Sequence, residues 1–149
     1  MKIDVNYSID MMIHKPKALV ARLYVDRDMM PVWEKGLVGI EDSKLKLFET
    51  GSEGYLVFSF NNQESKMKVT VTNNNLPDLI TQIYEVPGAW NECVNTFEEV
   101  NGITKWTMDV TFKMDAPYDI PKEAFINKTT QAMDIYKQFV ERIKDEDYK

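Results

Sequence analysis

The sequence predicts an α+β protein with one N-terminal strand, two short helices, a six-stranded antiparallel meander and a long C-terminal helix. Three patterns carry this prediction. Residues 2–11 alternate between polar and apolar, residues 44–115 show the same period of two between turn clusters, and residues 122–144 carry an apolar stripe at helical spacing. No linker or internal repeat interrupts these patterns, so we expect residues 1–149 to form a single domain.

The first two elements follow from residues 2–25. Odd positions from Ile3 to Met11 are apolar and the even positions between them are polar, which is typical of a half-buried strand. Pro16 suits the first position of a helix because it has no N–H to leave unsatisfied. Residues 17–25 then place their apolar side chains at helical spacing.

A second short helix is predicted after residue 25. Asp26 or Asp28 can cap its first turn, since either carboxylate can accept the free backbone N–H groups there. The helix would extend through Trp33, and Gly36 can close it.

The meander is predicted from alternating runs between turns. Leucine alternates with lysine in residues 44–47, and the next run places Leu56, Phe58 and Phe60 on one face. The turn clusters lie at residues 50–54, 61–64, 73–77, 87–88 and 101–102. Their even spacing favours hairpin connections between neighbouring antiparallel strands.

The dipeptide Asn101-Gly102 predicts a two-residue type I′ hairpin turn. This turn would pair Phe97 with Trp106 on one face and Glu98 with Lys105 on the other, as a correct register should. The same register places these residues on the apolar face: Asn91, Cys93, Asn95, Met108, Val110 and Phe112. If residues 87–88 form the preceding turn, the side chains of residues 82 and 84 point inward as well.

The C-terminal run Lys122 to Lys144 predicts a long amphipathic helix. Asp119 is a candidate cap, and Pro121 is acceptable in the first turn. The apolar stripe consists of Phe125, Thr129, Ala132, Met133, Tyr136, Phe139, Val140 and Ile143. Residues 145–149 are expected to fray.

The composition excludes several classes of function. With 18 Lys+Arg against 24 Asp+Glu, the net charge is −6, which argues against nucleic acid as a partner. One His and one Cys cannot build a Cys/His zinc cluster or an internal disulfide, so we expect neither a metal nor another cofactor.

No apolar run approaches the roughly 20 residues of a membrane helix, and no signal peptide is evident. A cytoplasmic protein without an integral membrane segment is therefore expected, as a monomer or a dimer.

The order of elements resembles the helix-grip fold of the START, or birch-pollen-allergen-like, superfamily (SRPBCC proteins). The local signals are Ile13 to Pro16 before the first helix, Asp26 through Trp33, Gly51 to Gly54 between the second and third strands, and the closing helix. The resemblance covers essentially the whole chain. It implies a curved sheet that grips the long helix, with a cavity between them. Members of the superfamily bind apolar ligands, cyclise polyketides or activate the ATPase of the ninety-kDa heat-shock chaperone.

The predicted inner face has the composition of a ligand pocket, which is typically apolar with a few polar groups. The candidate ligand-binding residues are Trp33, Phe58, Phe60, Gln82, Tyr84, Asn91, Asn95, Trp106, Met108, Phe112, Met133 and Tyr136. Trp33 is included because the second helix guards the cavity mouth in the family that the chain resembles. A buried Asn is costly without a hydrogen bond, so Asn91 and Asn95 require an internal partner, a water or a ligand.

The leading hypothesis is the binding of an apolar or amphipathic small molecule, with no catalytic residue assigned. His14 lies at the corner between strand and helix, and Cys93 is interpreted as a small apolar side chain of the inner face. One alternative is an enzyme of the polyketide cyclase or dehydratase kind that acts through its amide and phenol groups: Asn91, Asn95, Tyr84 or Tyr136. A further alternative is an interaction protein that resembles the chaperone-ATPase activators.

Overall fold

Seven strands and three helices form in the part of the chain that the computed structural model describes, residues 2–144. In chain order they are β1 (Lys2–Ile13), α1 (Lys17–Tyr24), α2 (Met30–Trp33), β2 (Leu37–Asp42), β3 (Glu53–Phe60), β4 (Gln63–Asn75), β5 (Leu79–Val86), β6 (Ala89–Val100), β7 (Ile103–Asp115) and α3 (Lys122–Arg142). The predicted fold class is confirmed by this order.

All seven strands belong to one antiparallel sheet in the order β1-β7-β6-β5-β4-β3-β2. Strands β2 to β7 form the predicted meander, and β1 pairs with β7 through a register that sets Tyr7 opposite Val110. The long helix α3 packs across the inner face beside β1, where the hydroxyls of Tyr7 and Thr129 lie 2.7 Å apart. The core and the candidate site therefore both lie between this face and the helices.

The β6–β7 hairpin confirms the predicted register. Asn101 and Gly102 both have positive φ, 53° and 78°, as a type I′ turn requires. Phe97 pairs with Trp106 across the two strands, and both side chains are buried. The turn at residues 87–88 also forms, and it places the inner-face residues of β5 opposite those of β6.

The alternation in residues 44–47 does not form a strand, contrary to the sequence pattern. Residues 43–52 form a loop between β2 and β3. Two backbone N–H groups of this loop donate hydrogen bonds to side chains rather than to a neighbouring strand. The N–H of Leu47 donates to Asp42 Oδ1 at 2.7 Å, and that of Phe48 donates to Ser52 Oγ at 3.0 Å. Leu47 and Phe48 are buried, whereas Leu45 is exposed, so burial in this loop does not follow the alternation of lysine and leucine.

No side chain caps α2, whose N-cap position is Met29, but Asp26, one of the two candidate caps, stabilises the turn before it. Asp26 Oδ1 accepts the backbone N–H groups of Asp28 and Met29 at 3.1 and 3.3 Å. Asp26 therefore stabilises this turn, and α2 itself begins at Met30.

The start of α3 differs from the prediction. Pro121 occupies the position before the first helical residue, and no side chain caps the helix, so Asp119 does not have the predicted role. The helix ends at Arg142 rather than at residue 144. The predicted fraying of residues 145–149 lies outside the described residues. None of the described helices is long and apolar enough to cross a membrane.

Candidate ligand-binding site

A cavity of about 540 Å³ lies between the inner face of the sheet and the face of α3, with α1 and α2 at one end. Most of the residues predicted from the sequence line it: Trp33, Tyr84, Asn91, Trp106, Met108, Phe112, Met133 and Tyr136. Asn91, Tyr84 and Phe112 form one row across β5, β6 and β7. The alternation of each strand and the hairpin register together position these side chains on the same side.

Phe58 and Phe60 do not line this cavity, which corrects their predicted place. Their rings stack on each other at 6.3 Å between centroids, near the β3–β4 turn. Phe60 is 55% exposed and lies against Gly36. The two residues are on the predicted face, but they lie toward the end of a strand near the sheet edge, beyond the wall of the cavity.

Gln82 is buried in the wall rather than exposed to the cavity. Its Oε1 accepts the hydroxyl of Tyr84 at 2.8 Å and that of Tyr24 at 3.4 Å. This amide therefore holds two tyrosine hydroxyls in place at one side of the site. The sequence pattern predicted that residue 82 points inward, but it could not show that its partner would be another side chain.

Asn95 is also part of the wall, and its side chain is fully buried. Its Oδ1 accepts the indole N–H of Trp106 at 2.9 Å. The amide oxygen of Asn95 thus has an internal partner, whereas its buried Nδ2 has no hydrogen-bond partner among the described residues. Asn91 does line the cavity, where its Oδ1 lies 3.7 Å from the thiol of Cys93.

Four aromatic rings pack together at the end of the cavity beside α1 and α2. Tyr24 stacks on Trp33 with 5.7 Å between centroids, and the ring of Tyr136 lies 4.6 Å from Trp33 and 5.4 Å from Trp106. The hydroxyl of Tyr136 donates to the carbonyl of Val20 at 2.6 Å, and this hydrogen bond links α3 to α1 at this end of the cavity. Trp33 Nε1 is buried and has no hydrogen-bond partner among the described residues.

Glu34 is one of several cavity residues absent from the candidates, and it is the one with a carboxyl group. It directly follows α2, and it lines the cavity beside Trp33. Burial raises the pKa of its carboxyl to about 7. Within residues 2–144 no hydrogen bond or ion pair engages this carboxyl. Its position directly after Trp33 was the one feature of the sequence that pointed to the cavity. The direction of its side chain depends on the turn between α2 and β2, which the sequence pattern does not predict.

The other titratable groups in this part of the cavity are neutral near pH 7. Burial raises the pKa of the Cys93 thiol to about 12. Burial also raises the pKa of Tyr24 and Tyr84, and their interactions with ionised Cys93 and Glu34 raise it further. The cavity interior is therefore apolar and aromatic, with Glu34 as its source of negative charge.

The other end of the cavity lies at the first turns of α3. Met114, Ile120 and Ala124 contribute apolar surface there, and Lys128 is an exposed lysine on the same side of α3. This end of the cavity therefore combines apolar side chains with one exposed cation.

His14 lies away from the cavity, as its position at the strand-to-helix corner predicts. The imidazole is 64% exposed, and its Nδ1 is 2.9 Å from Glu141 Oε2. The backbone N–H of His14 donates to the same carboxylate oxygen at 2.8 Å. His14 thus joins the strand-to-helix corner to the end of α3. No group of three His, Cys, Asp or Glu residues in the described part of the chain is placed to hold a metal ion.

No protein-family model matches the sequence, and no curated protein matches it. Solved structures do match the fold. Ara h 8.0201 has a TM-score of 0.74 at 12% identity, with 92% of this chain and 97% of that chain covered. A START superfamily protein from Mycobacterium smegmatis has a TM-score of 0.73 at 12% identity, covering 93% and 99% of the two chains.

A third similar structure is the di-domain ARO/CYC StfQ from the steffimycin biosynthetic pathway. Its TM-score is 0.70 at 7% identity, and the match covers 93% of this chain and 51% of that chain. These likenesses and the order of elements show the fold: the chain has the helix-grip fold that START and birch-pollen-allergen-like proteins share. At these identities the likeness concerns the fold.

Proposed function

We propose that the protein binds one apolar or amphipathic small molecule in the cavity between the sheet and α3. The observation that carries this proposal is the cavity itself, about 540 Å³ enclosed largely by aromatic and methionine side chains. Ligand sites of about 300–1,000 Å³ with this kind of lining are usual for small organic molecules. Flexible methionines such as Met108 and Met133 let the wall adapt to an irregular ligand.

The few polar groups in the cavity support an amphipathic ligand over a pure hydrocarbon. The indole N–H of Trp33 is buried without an acceptor among the described residues, and such a group is costly when unpaired. A ligand oxygen or a water within the cavity would satisfy it. The carboxyl of Glu34 is a second group available to a ligand.

The experiment measures binding of the uncharged fluorescent probe N-phenyl-1-naphthylamine. Ala132 and Gln131 are both exposed neighbours on α3, but of the two only Ala132 lines the cavity. We expect saturable binding by the native protein and by Gln131→Phe, and a loss of at least about tenfold in affinity for Ala132→Phe because the added ring fills the space. Equal binding by all three proteins would contradict a site in this cavity.

A cyclase- or dehydratase-like activity is the second candidate function. The observation that favours it is Glu34, since a carboxyl whose pKa lies at about 7 within a cavity is suited to donate and accept protons. The test is to incubate molecules that co-purify with the protein, or aromatic polyketide-like substrates, and to follow loss of water by mass spectrometry. This candidate predicts turnover that Glu34→Gln abolishes. Recovery of every bound molecule unchanged would leave binding as the function.

A further inference from the structure

The electrostatic character of the cavity narrows the class of its ligand. Glu34 is a carboxyl in an apolar site, and no partner engages it among residues 2–144. Its charge reaches the hydroxyls of both Tyr24 on α1 and Tyr84 on β5, which meet at Gln82 Oε1. A carboxylate in a place of low dielectric is stabilised strongly by a cation that enters the same place.

The side chains around Glu34 do not supply that cation. Besides Glu34, the titratable groups that line the same cavity are Tyr24 on α1, Tyr84 on β5, Cys93 on β6, and Lys128 and Tyr136 on α3, and the hydroxyl of Tyr136 donates to the carbonyl of Val20. The first three are neutral near pH 7 because burial raises the pKa of each. Lys128 is exposed, so water screens its charge, and it makes no ion pair with Glu34 in the described structure.

The aromatic surface near Glu34 favours a cation as well. The rings of Tyr24, Trp33 and Tyr84 line the cavity together with the carboxyl. The face of an aromatic ring attracts an ammonium group, most strongly where water is excluded. An aliphatic chain attached to that ammonium group would occupy the apolar space toward Met114 and Ile120.

We infer that the cavity selects an apolar ligand that carries a basic nitrogen, with Glu34 as the ionic partner of that nitrogen and the nearby aromatic rings packed around it. This inference rests on the proposed function, because it names the class of ligand for the same site. The competing arrangement is an anionic amphiphile with its carboxylate at Lys128 and its chain inside.

The test compares three probes with the same chain: octylamine, octan-1-ol and octanoate, each titrated by calorimetry near pH 7.5. We expect octylamine to bind most tightly, octan-1-ol next and octanoate most weakly. In Glu34→Gln the affinity for octylamine should fall by about tenfold or more, as expected for loss of a charge-assisted contact, while that for octan-1-ol should change by less than about threefold. Glu49→Gln is the matched control, since Glu49 is an exposed carboxylate that does not line the cavity.

The outcomes separate this inference from the proposed function. If none of the probes binds, the proposed function fails. If octan-1-ol binds but octylamine shows no advantage, or if Glu34→Gln and Glu49→Gln change octylamine binding equally, the inference is overturned while an apolar site stands. Tighter binding of octanoate than of octylamine would favour the competing arrangement at Lys128 and overturn the inference as well.

Discussion

Trp106 donates its indole N–H to Asn95 Oδ1 across 2.9 Å, between the adjacent strands β7 and β6. The two residues are diagonal neighbours on the inner face, since Asn95 pairs with Met108 and Trp106 pairs with Phe97. A buried polar pair of this kind holds its members in one arrangement because either group alone would be unsatisfied. The bond therefore fixes the indole that lies at one end of the cavity.

Replacing Asn95 by Leu is expected to destabilise the protein by about 1–3 kcal/mol, because the buried N–H of Trp106 would lose its acceptor. Urea denaturation measures this change. The control is Trp106→Phe, which lacks the indole N–H donor. In that variant Asn95→Leu should lower the free energy of unfolding by clearly less than it does in the native protein. An equal cost in both backgrounds would contradict the importance of this hydrogen bond.

Glu34 makes stability depend on pH in a direction opposite to that of a salt-bridged carboxylate. Its folded-state pKa of about 7 lies above the ordinary value of 4.5. Between pH 4.5 and pH 7 the folded state therefore binds more protons at this carboxyl than the unfolded state does. The associated stability is fully present below about pH 4.5 and is lost as pH rises through 7, by at most about 1.4 kcal/mol per pH unit. Tyr24, Tyr84 and Cys93 do not titrate in this range because the pKa of each is raised.

The measurement is the free energy of unfolding of the native protein and of Glu34→Gln from about pH 4 to about pH 8. We expect the difference between them to change in favour of the Gln variant as pH rises. Glu49→Gln should show no such trend, because its side chain is exposed. A constant difference between native protein and Glu34→Gln across this range would show that the carboxyl of Glu34 is not buried.

Cys93 provides a chemical reporter of the cavity, since it is the single cysteine of the chain and lines the site. Burial raises the pKa of its thiol from 9.0 to about 12, and this difference of three units lowers the thiolate fraction about a thousandfold. Alkylation by iodoacetamide at mild alkaline pH should therefore be slow in the folded protein and fast in urea. Octan-1-ol should slow it further in the folded state only. A folded-state rate close to that in urea would contradict the burial of this thiol.

The hairpin register shows what a local pattern can predict. Asn101-Gly102 specifies its turn through backbone conformation alone, and the period of two then assigns every residue of β6 and β7 to a face. This is why Asn91, Trp106 and Phe112 were placed on the inner face correctly. The same reasoning failed for residues 44–47, which form a loop in which Leu47 is buried but Leu45 is exposed.

Other features depend on tertiary geometry that periodicity does not contain. The side of the sheet was right for Phe60, but its distance from the cavity depends on the place of β3 next to the edge strand β2. The role of Gln82 depends on Tyr24, which is 58 residues away in sequence. Glu34 lies in a turn without periodicity, so only the three-dimensional path between α2 and β2 brings it into the cavity.

The most direct test of the central claim uses the three tryptophans of the chain. Trp33 and Trp106 line the cavity, whereas Trp90 lies on the outer face of β6, with Lys113 Nζ 5.4 Å from its ring centroid. The measurement is a ¹H–¹⁵N correlation spectrum of the indole N–H groups during titration with octan-1-ol. We expect the signals of Trp33 and Trp106 to shift in a saturable way while that of Trp90 stays in place. Unchanged Trp33 and Trp106 signals, or an equal shift of Trp90, would contradict ligand binding in the cavity between the sheet and α3.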